Sequence, residues 1–212
     1  MKNLLIVLCI LPVIFGISCS NTPQTESTGN TVLENILSRK SVRDFIGKKV
    51  ENEKITILLK AGMAAPSGRD LRPWELIVIQ NRSTLDSMAA ELPYAKMLNK
   101  APMAIIVCGD SIRSSYWYLD CSAVSENILL AAESLGLGAV WTAAYPYEDR
   151  ISTVRKYTNI PENIIPLCVI PDRKSTRLNS SHGCVIPIGY PNGTQSPKNK
   201  FDEKKIHYEK FQ

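Results

Sequence analysis

Cys168-Val169-Ile170-Pro171 recurs as Cys184-Val185-Ile186-Pro187, and the residues between the copies, DRKSTRLNSSHG at 172–183, are polar and basic without periodicity. Removing one copy together with the spacer restores Ile164-Ile165-Pro166-Leu167-Cys168-Val169-Ile170-Pro171-Ile188-Gly189-Tyr190-Pro191. That run has the apolar density of a buried strand. A strand interrupted by such a tract must expel it as a loop. Otherwise it loses register, because a one-residue slip turns every side chain to the other face. The tract STRLNSSH also resembles translated sequencing-adapter sequence, so residues 172–183 read as an artefactual insert in a real domain. The competing reading is a genuine surface loop, although long structureless loops are uncommon in compact domains. With the insert set aside, His182 goes and His207 is the remaining histidine. That argues against His-centred catalysis and against a His-rich metal site.

The other end of the chain is different in kind. Lys2 precedes an almost wholly apolar run at 4–15, and Gly16-Ile17-Ser18-Cys19 follows. A run this short is the core of an export signal sooner than a membrane span. Ser18 before Cys19 resembles a bacterial lipobox, so residues 1–19 are expected to be a signal peptide whose Cys19 is lipidated. A plain secretory signal or an uncleaved anchor are the alternatives. Residues 20–30 (SNTPQTESTGN) contain no apolar side chain and read as a flexible tether. The domain itself is expected at 31–212, exported and held at a membrane facing the periplasm or cell surface.

Composition narrows the class. The chain has 212 residues, 44% hydrophobic and 21% charged, with a net charge of +5, which excludes disorder, collagen and coiled coil. Its cations are dispersed, so no nucleic-acid footprint is present. Beyond Cys9 and Cys19, the cysteines at 108, 121, 168 and 184 sit in apolar stretches without a CxxC pair. They read as buried thiols, and no metal ligand set is expected.

Periodicity predicts helices through Val32, Ile36 and Leu37, through Ile55, Leu58 and Leu59, and over 83–91, 120–135 and 149–157. Strands are expected at 74–79 (WELIVI), 103–108 (MAIIVC) and 139–143, followed by the interrupted one. Gly136-Leu137-Gly138 should stop the longest helix. The fold class is α+β, a mixed central sheet flanked by helices. GxGxxG, GKS and GxSxG motifs are absent, so the usual dinucleotide, P-loop and hydrolase-elbow sites are excluded.

Chemistry is concentrated in four places. Arg39, Lys40, Ser41 and Arg43 combine forked and short donors suited to a phosphate dianion, or form a solvated basic helix end. Pro66, Ser67, Gly68, Asp70 and Arg72 lie in a loop whose Pro and Gly fix an irregular backbone, or a rigid turn with surface charges. Glu126 and Asn127 interrupt an apolar helix and need partners, with helix packing the plainer explanation. Lys198 and Lys200 can project to one side of an extended tail.

Their order along the chain resembles the flavin-dependent nitroreductase family. The resemblance runs through RKSVRDF at 39–45, APSGRDLRPW at 65–74, DCSAVSENILLAAESLGLG at 120–138, Trp141 with Tyr145-Pro146, Ile188-Gly189-Tyr190-Pro191, and PKNKFDEKKIHYEKF at 197–211. It implies a fold completed by homodimerisation, FMN at the dimer interface, and NAD(P)H as co-substrate. It further implies that Arg39, Lys40 and Ser41, with Lys198 and Lys200 from the tail, hold the FMN phosphate. Arg43 would lie near the pyrimidine edge, where its charge favours the anionic reduced ring. Pro66, Ser67 and Gly68 would line the ring, and Thr142 and Ala143 would offer backbone toward it. Asp70 and Arg72 stand where many members have Asn and Gln. An ionised Asp cannot donate to a flavin carbonyl, so it must accept from the ring N–H or from Arg72.

The implied reaction is hydride transfer from NAD(P)H to the flavin, then reduction of a nitroaromatic, quinone or similar small acceptor in the same space. Such a ping-pong cycle requires no protein nucleophile, and no catalytic side chain is expected. The rivals are a narrower reductase on the same fold, or an exported flavoprotein or inert lipoprotein with no NAD(P)H turnover.

Overall fold

The computed structural model describes residues 31–143, 147–167 and 184–207. The export signal, the tether, Tyr145-Pro146, Cys168, the spacer at 172–183 and the end of the tail lie outside these.

Residues 103–109 are all buried, and they set the architecture. In β3 (Met103–Asp110) side chains alternate, as a strand requires. Met103, Ile105 and Val107 pack with Leu58, Val124 and Ile128 on one face. Ala104, Ile106 and Cys108 pack with Leu85, Met88 and Val154 on the other. Helices α2 (Asn52–Met63) and α4 (Trp117–Ser134) therefore cover one side, and α3 (Arg82–Glu91) and α5 (Glu148–Thr158) cover the other. Burying each large aliphatic side chain contributes about 1.5–3 kcal/mol, so this doubly covered strand anchors the domain.

The strand path is β1 (Phe45–Ile46), β7 (Cys184–Pro191), β3 and β2 (Trp74–Ile79). Strand β2 (Trp74–Ile79) pairs with β3 along its whole length. The other edge of β3 carries both parts of the interrupted strand, β6 (Ile164–Pro166) and β7 (Cys184–Pro191). Pro166 faces Cys108 and Cys184 faces the next residue, Val107. Leu167 N–H also donates to Val107 O at 2.8 Å. Two residues thus share one partner, the pairing of a β-bulge.

The far edge of β7 is lined end to end by β5 (Thr142–Ala143), β4 (Gly138–Ala139) and β1 (Phe45–Ile46). The strand expected at 139–143 is split, and the cause is Pro187. Thr142 Oγ1 donates to Val185 O, so residue 185 turns its backbone toward this edge. Two residues on, Pro187 turns the same way but has no N–H to give. All ladders among the described residues are antiparallel, so the sheet is mixed only through the isolated parallel bridge Ser41↔Ala139.

Helix ends follow their sequence signals. Asn81 caps α3 by accepting from Thr84 N–H at 3.0 Å. Gly136, at φ 69, closes α4, and Asn159, at φ 54, closes α5. The longest helix begins at Trp117, earlier than its charge pattern suggested. Helix α1 (Thr31–Ser38) forms as expected, but its apolar face is not packed: Val32, Leu33, Ile36 and Leu37 are exposed. Asn35 Nδ2 donating to Leu130 O at 3.0 Å ties it to α4. Cys108 and Cys121 are buried, as expected, and Cys121 Sγ donates to Cys108 O at 3.3 Å.

Candidate functional site

The basic segment 39–43 is fastened to the β7 edge by backbone. Ser41 bridges Ala139, and Val42 N–H donates to Ala139 O at 3.0 Å. The approach is close enough that a Cβ at Gly138 would meet Val42 Cβ at 2.6 Å. Glycine is therefore required at 138 by contact. This sets Ser41 and Val42 against β4, which lies end to end with β5 (Thr142–Ala143) along β7. Thr142 is buried, with its hydroxyl committed to Val185 O at 2.7 Å, which leaves its backbone as its means of meeting a ligand.

The cations of this segment differ in availability. Lys40 Nζ sits 2.5 Å from Glu133 Oε1, with side chains 23% and 15% exposed. It is engaged with α4. Arg39 uses Nε toward Glu126 Oε1 at 3.3 Å. Among the described residues that leaves its two terminal amino groups for another acceptor, and a guanidinium held side-on presents them as a fork. Arg43 is exposed and, among the described residues, has a 3.5 Å contact from Nη1 to Ser41 O. Asn127 Nδ2 donates to Ala61 O at 3.0 Å, so it joins α4 to α2, the plainer role expected of it.

The loop 66–72 is built on strain. Arg69, Asp70 and Arg72 have φ of 53, 55 and 47°, in the left-handed region. Each such non-glycine residue costs roughly 1 kcal/mol or more, so surrounding contacts must fix it. Ser67 Oγ accepts from Arg72 N–H at 3.0 Å. Arg72 donates to Asp70 through Nε at 2.7 Å and Nη2 at 2.6 Å, a fork on one carboxylate. These hydrogen bonds hold Asp70 below the usual carboxylate range and raise Arg72. Of the two partners open to Asp70, the structure shows Arg72. Gly68 N–H donates to Asp120 Oδ1 at 2.9 Å, tying the loop to the first turn of α4.

Lys198 and Lys200 are exposed on the extended tail. They make no hydrogen bond or ion pair with residues 39–43 within one chain, among the described residues. The structure thus joins Ser41 and Val42 to Ala139 and ties Arg39, Lys40 and the loop 66–72 to α4.

The sequence assigned no role to Glu133 or Asp120, and no partner to Glu126. Glu126 and Glu133 lie two turns apart on one face of α4 and take up Arg39 and Lys40; their isolation in an apolar helix was the available signal. Asp120 was noticed only within the longer motif, yet it is a buried carboxylate that holds the loop.

The donor set at 39–43, two guanidinium groups and a hydroxyl against strand backbone, fits a phosphate ester such as that of FMN. Residues 36–93 and 85–171 match the Nitroreductase family. A Methanothermobacter thermautotrophicus protein whose name reads NADH dehydrogenase/NAD(P)H nitroreductase is 43% identical over 85% of this chain and 87% of its own. A crystal structure from Bacteroides thetaiotaomicron, named in the same terms, is 61% identical, covers 87% of this chain and 100% of that one, and superposes with a TM-score of 0.78. A Desulfovibrio desulfuricans nitroreductase solved in complex with FMN is 25% identical, with a TM-score of 0.68 over 87% of this chain and 100% of its own. The chain belongs to the nitroreductase family.

Proposed function

We propose that the protein is an FMN-dependent oxidoreductase that takes hydride from NAD(P)H and reduces small acceptors such as nitroaromatics or quinones. The observation that carries this reading is the bridge from Ser41 to Ala139, which sets a phosphate-binding donor set against the strand edge that would face the flavin. Bound FMN would supply the two-electron chemistry, accepting hydride and passing electrons on. The protein's own residues bind, orient and shield.

Arg39, through its terminal amino groups, and Ser41, through its hydroxyl, would grip the phosphate, joined by Lys198 and Lys200. Lys40 joins them only by leaving Glu133. Arg43 would stand at the pyrimidine edge, favouring negative charge there. Pro66, Ser67, Gly68 and the Asp70–Arg72 pair would line the ring from the loop, with Thr142 and Ala143 opposite. NAD(P)H and acceptor would take turns in one space, a ping-pong cycle that asks no side chain to act as nucleophile.

A homodimer would complete the site. The exposed apolar face of α1 borders a groove of about 540 Å³ lined by Ala61, Leu130 and Ala131, a surface suited to burial against a second copy. A dimer also gives Lys198 and Lys200 a route to the phosphate held by the other subunit. Outside the described residues, we read 1–19 as an export signal ending in a lipid-bearing Cys19, 20–30 as a tether and 172–183 as an insert.

The test is optical. Protein purified and loaded with FMN should show oxidised-flavin absorption that NADPH or NADH bleaches anaerobically, and that a nitroaromatic or quinone restores. Bound flavin that neither nucleotide reduces would leave a non-enzymatic flavoprotein, the rival reading.

A further inference from the structure

We infer that Asp120 is the positioning residue that holds the loop 67–72 in its ligand-facing conformation; this rests on the flavin-site reading of that loop. Asp120 is 6% exposed, and its carboxylate has two partners from different parts of the chain. Oδ1 accepts Gly68 N–H at 2.9 Å, and Oδ2 accepts the hydroxyl of Ser114, itself 2% exposed, at 3.3 Å. Ser114 Oγ in turn accepts Tyr116 N–H at 3.1 Å, which fixes the tyrosine whose ring lies 3.4 Å from where a Gly68 Cβ would be. Gly68 is thereby held on its N–H side by the carboxylate and on its Cα side by the ring.

The position matters because Gly68 opens the short 3₁₀ turn Gly68–Asp70. Downstream of it come the left-handed Arg69, Asp70 and Arg72, a conformation the two arginines disfavour. Their internal bonds, Arg72 N–H to Ser67 Oγ and the Arg72–Asp70 fork, lie on exposed residues and are individually weak. The half-buried, charge-assisted bond from Gly68 is the strong tie between this turn and α4. An acceptor at 120 is what the loop requires, and a side-chain amide can provide one.

The experiment uses the full chain without FMN and follows trypsin cleavage at the Arg69–Asp70 bond by mass spectrometry. Asp120→Ala should accelerate that cut at least about tenfold while changing cuts elsewhere less than about twofold. Asp120→Asn should stay within about threefold of wild type. FMN affinity should follow the same order, lost by about tenfold in the first variant and recovered in the second. Wild-type cleavage in Asp120→Ala, or loss in Asp120→Asn equal to that in Asp120→Ala, would overturn the assignment. A wild-type chain that binds no FMN would instead end the flavin reading, while the cleavage result would still judge the loop.

Discussion

Single side chains in this protein are placed by charge as much as by burial. Glu51, before α2, accepts from Tyr190 Oη at 2.6 Å and pairs with Lys48 at 3.3 Å, while Lys54 Nζ contacts the same phenol oxygen at 3.1 Å. The Tyr190 hydrogen bond is the main reason its carboxyl falls from the ordinary 4.5 to about 2. A depressed carboxylate stabilises the fold above its unfolded value and loses that contribution as pH falls toward the folded one. The melting temperature of wild type should therefore exceed that of Glu51→Gln at pH 6, and the gap should close between pH 4.5 and about 2. A gap independent of pH would show that the charge is idle. Such pairings span long stretches of sequence. Neither Lys40 with Glu133 nor Arg39 with Glu126 could be read from residue order, although the residue types announced that partners were needed.

At the level of elements, the split strand is the sharpest case. Strands β6 and β7 lie on one edge of β3 in successive register, and Leu167 already bonds to Val107 as a bulge residue would. Joining Leu167 directly to Cys184 keeps that arrangement. Deleting residues 168–183 should therefore give a soluble protein with unchanged far-UV circular dichroism and a melting temperature equal to or above that of the full chain. A deletion variant that aggregates or melts lower would mark the segment as part of the domain. The doubly buried β3 and the helices flanking it were legible because apolar density and period are local properties. The break between β4 and β5 was not, since it depends on which way Pro187 faces in a neighbouring strand. The exposure of the α1 face was not legible either: periodicity reports an apolar face, but not whether the same chain covers it.

For the whole molecule, two consequences lie beyond the domain core. An export signal ending at Cys19 predicts a mature N-terminus at that residue with a lipid mass, and membrane association abolished in Cys19→Ser. A soluble mature protein beginning elsewhere would favour the plain secretory alternative. The larger consequence concerns the phosphate grip proposed for residues 39–43 and the tail. Membership of the nitroreductase family was legible as a resemblance carried by motifs. How Lys198 and Lys200 would reach a phosphate held at 39–43 was not, since among the described residues they make no hydrogen bond or ion pair with that segment within one chain. The most direct measurement is titration of the flavin-free full chain with FMN and with riboflavin, which differ by the phosphate alone. Charge-assisted contacts from several cations predict FMN binding at least about a hundredfold tighter, with the advantage shrinking as salt is raised. Equal affinities for the two flavins, unaffected by salt, would contradict the account.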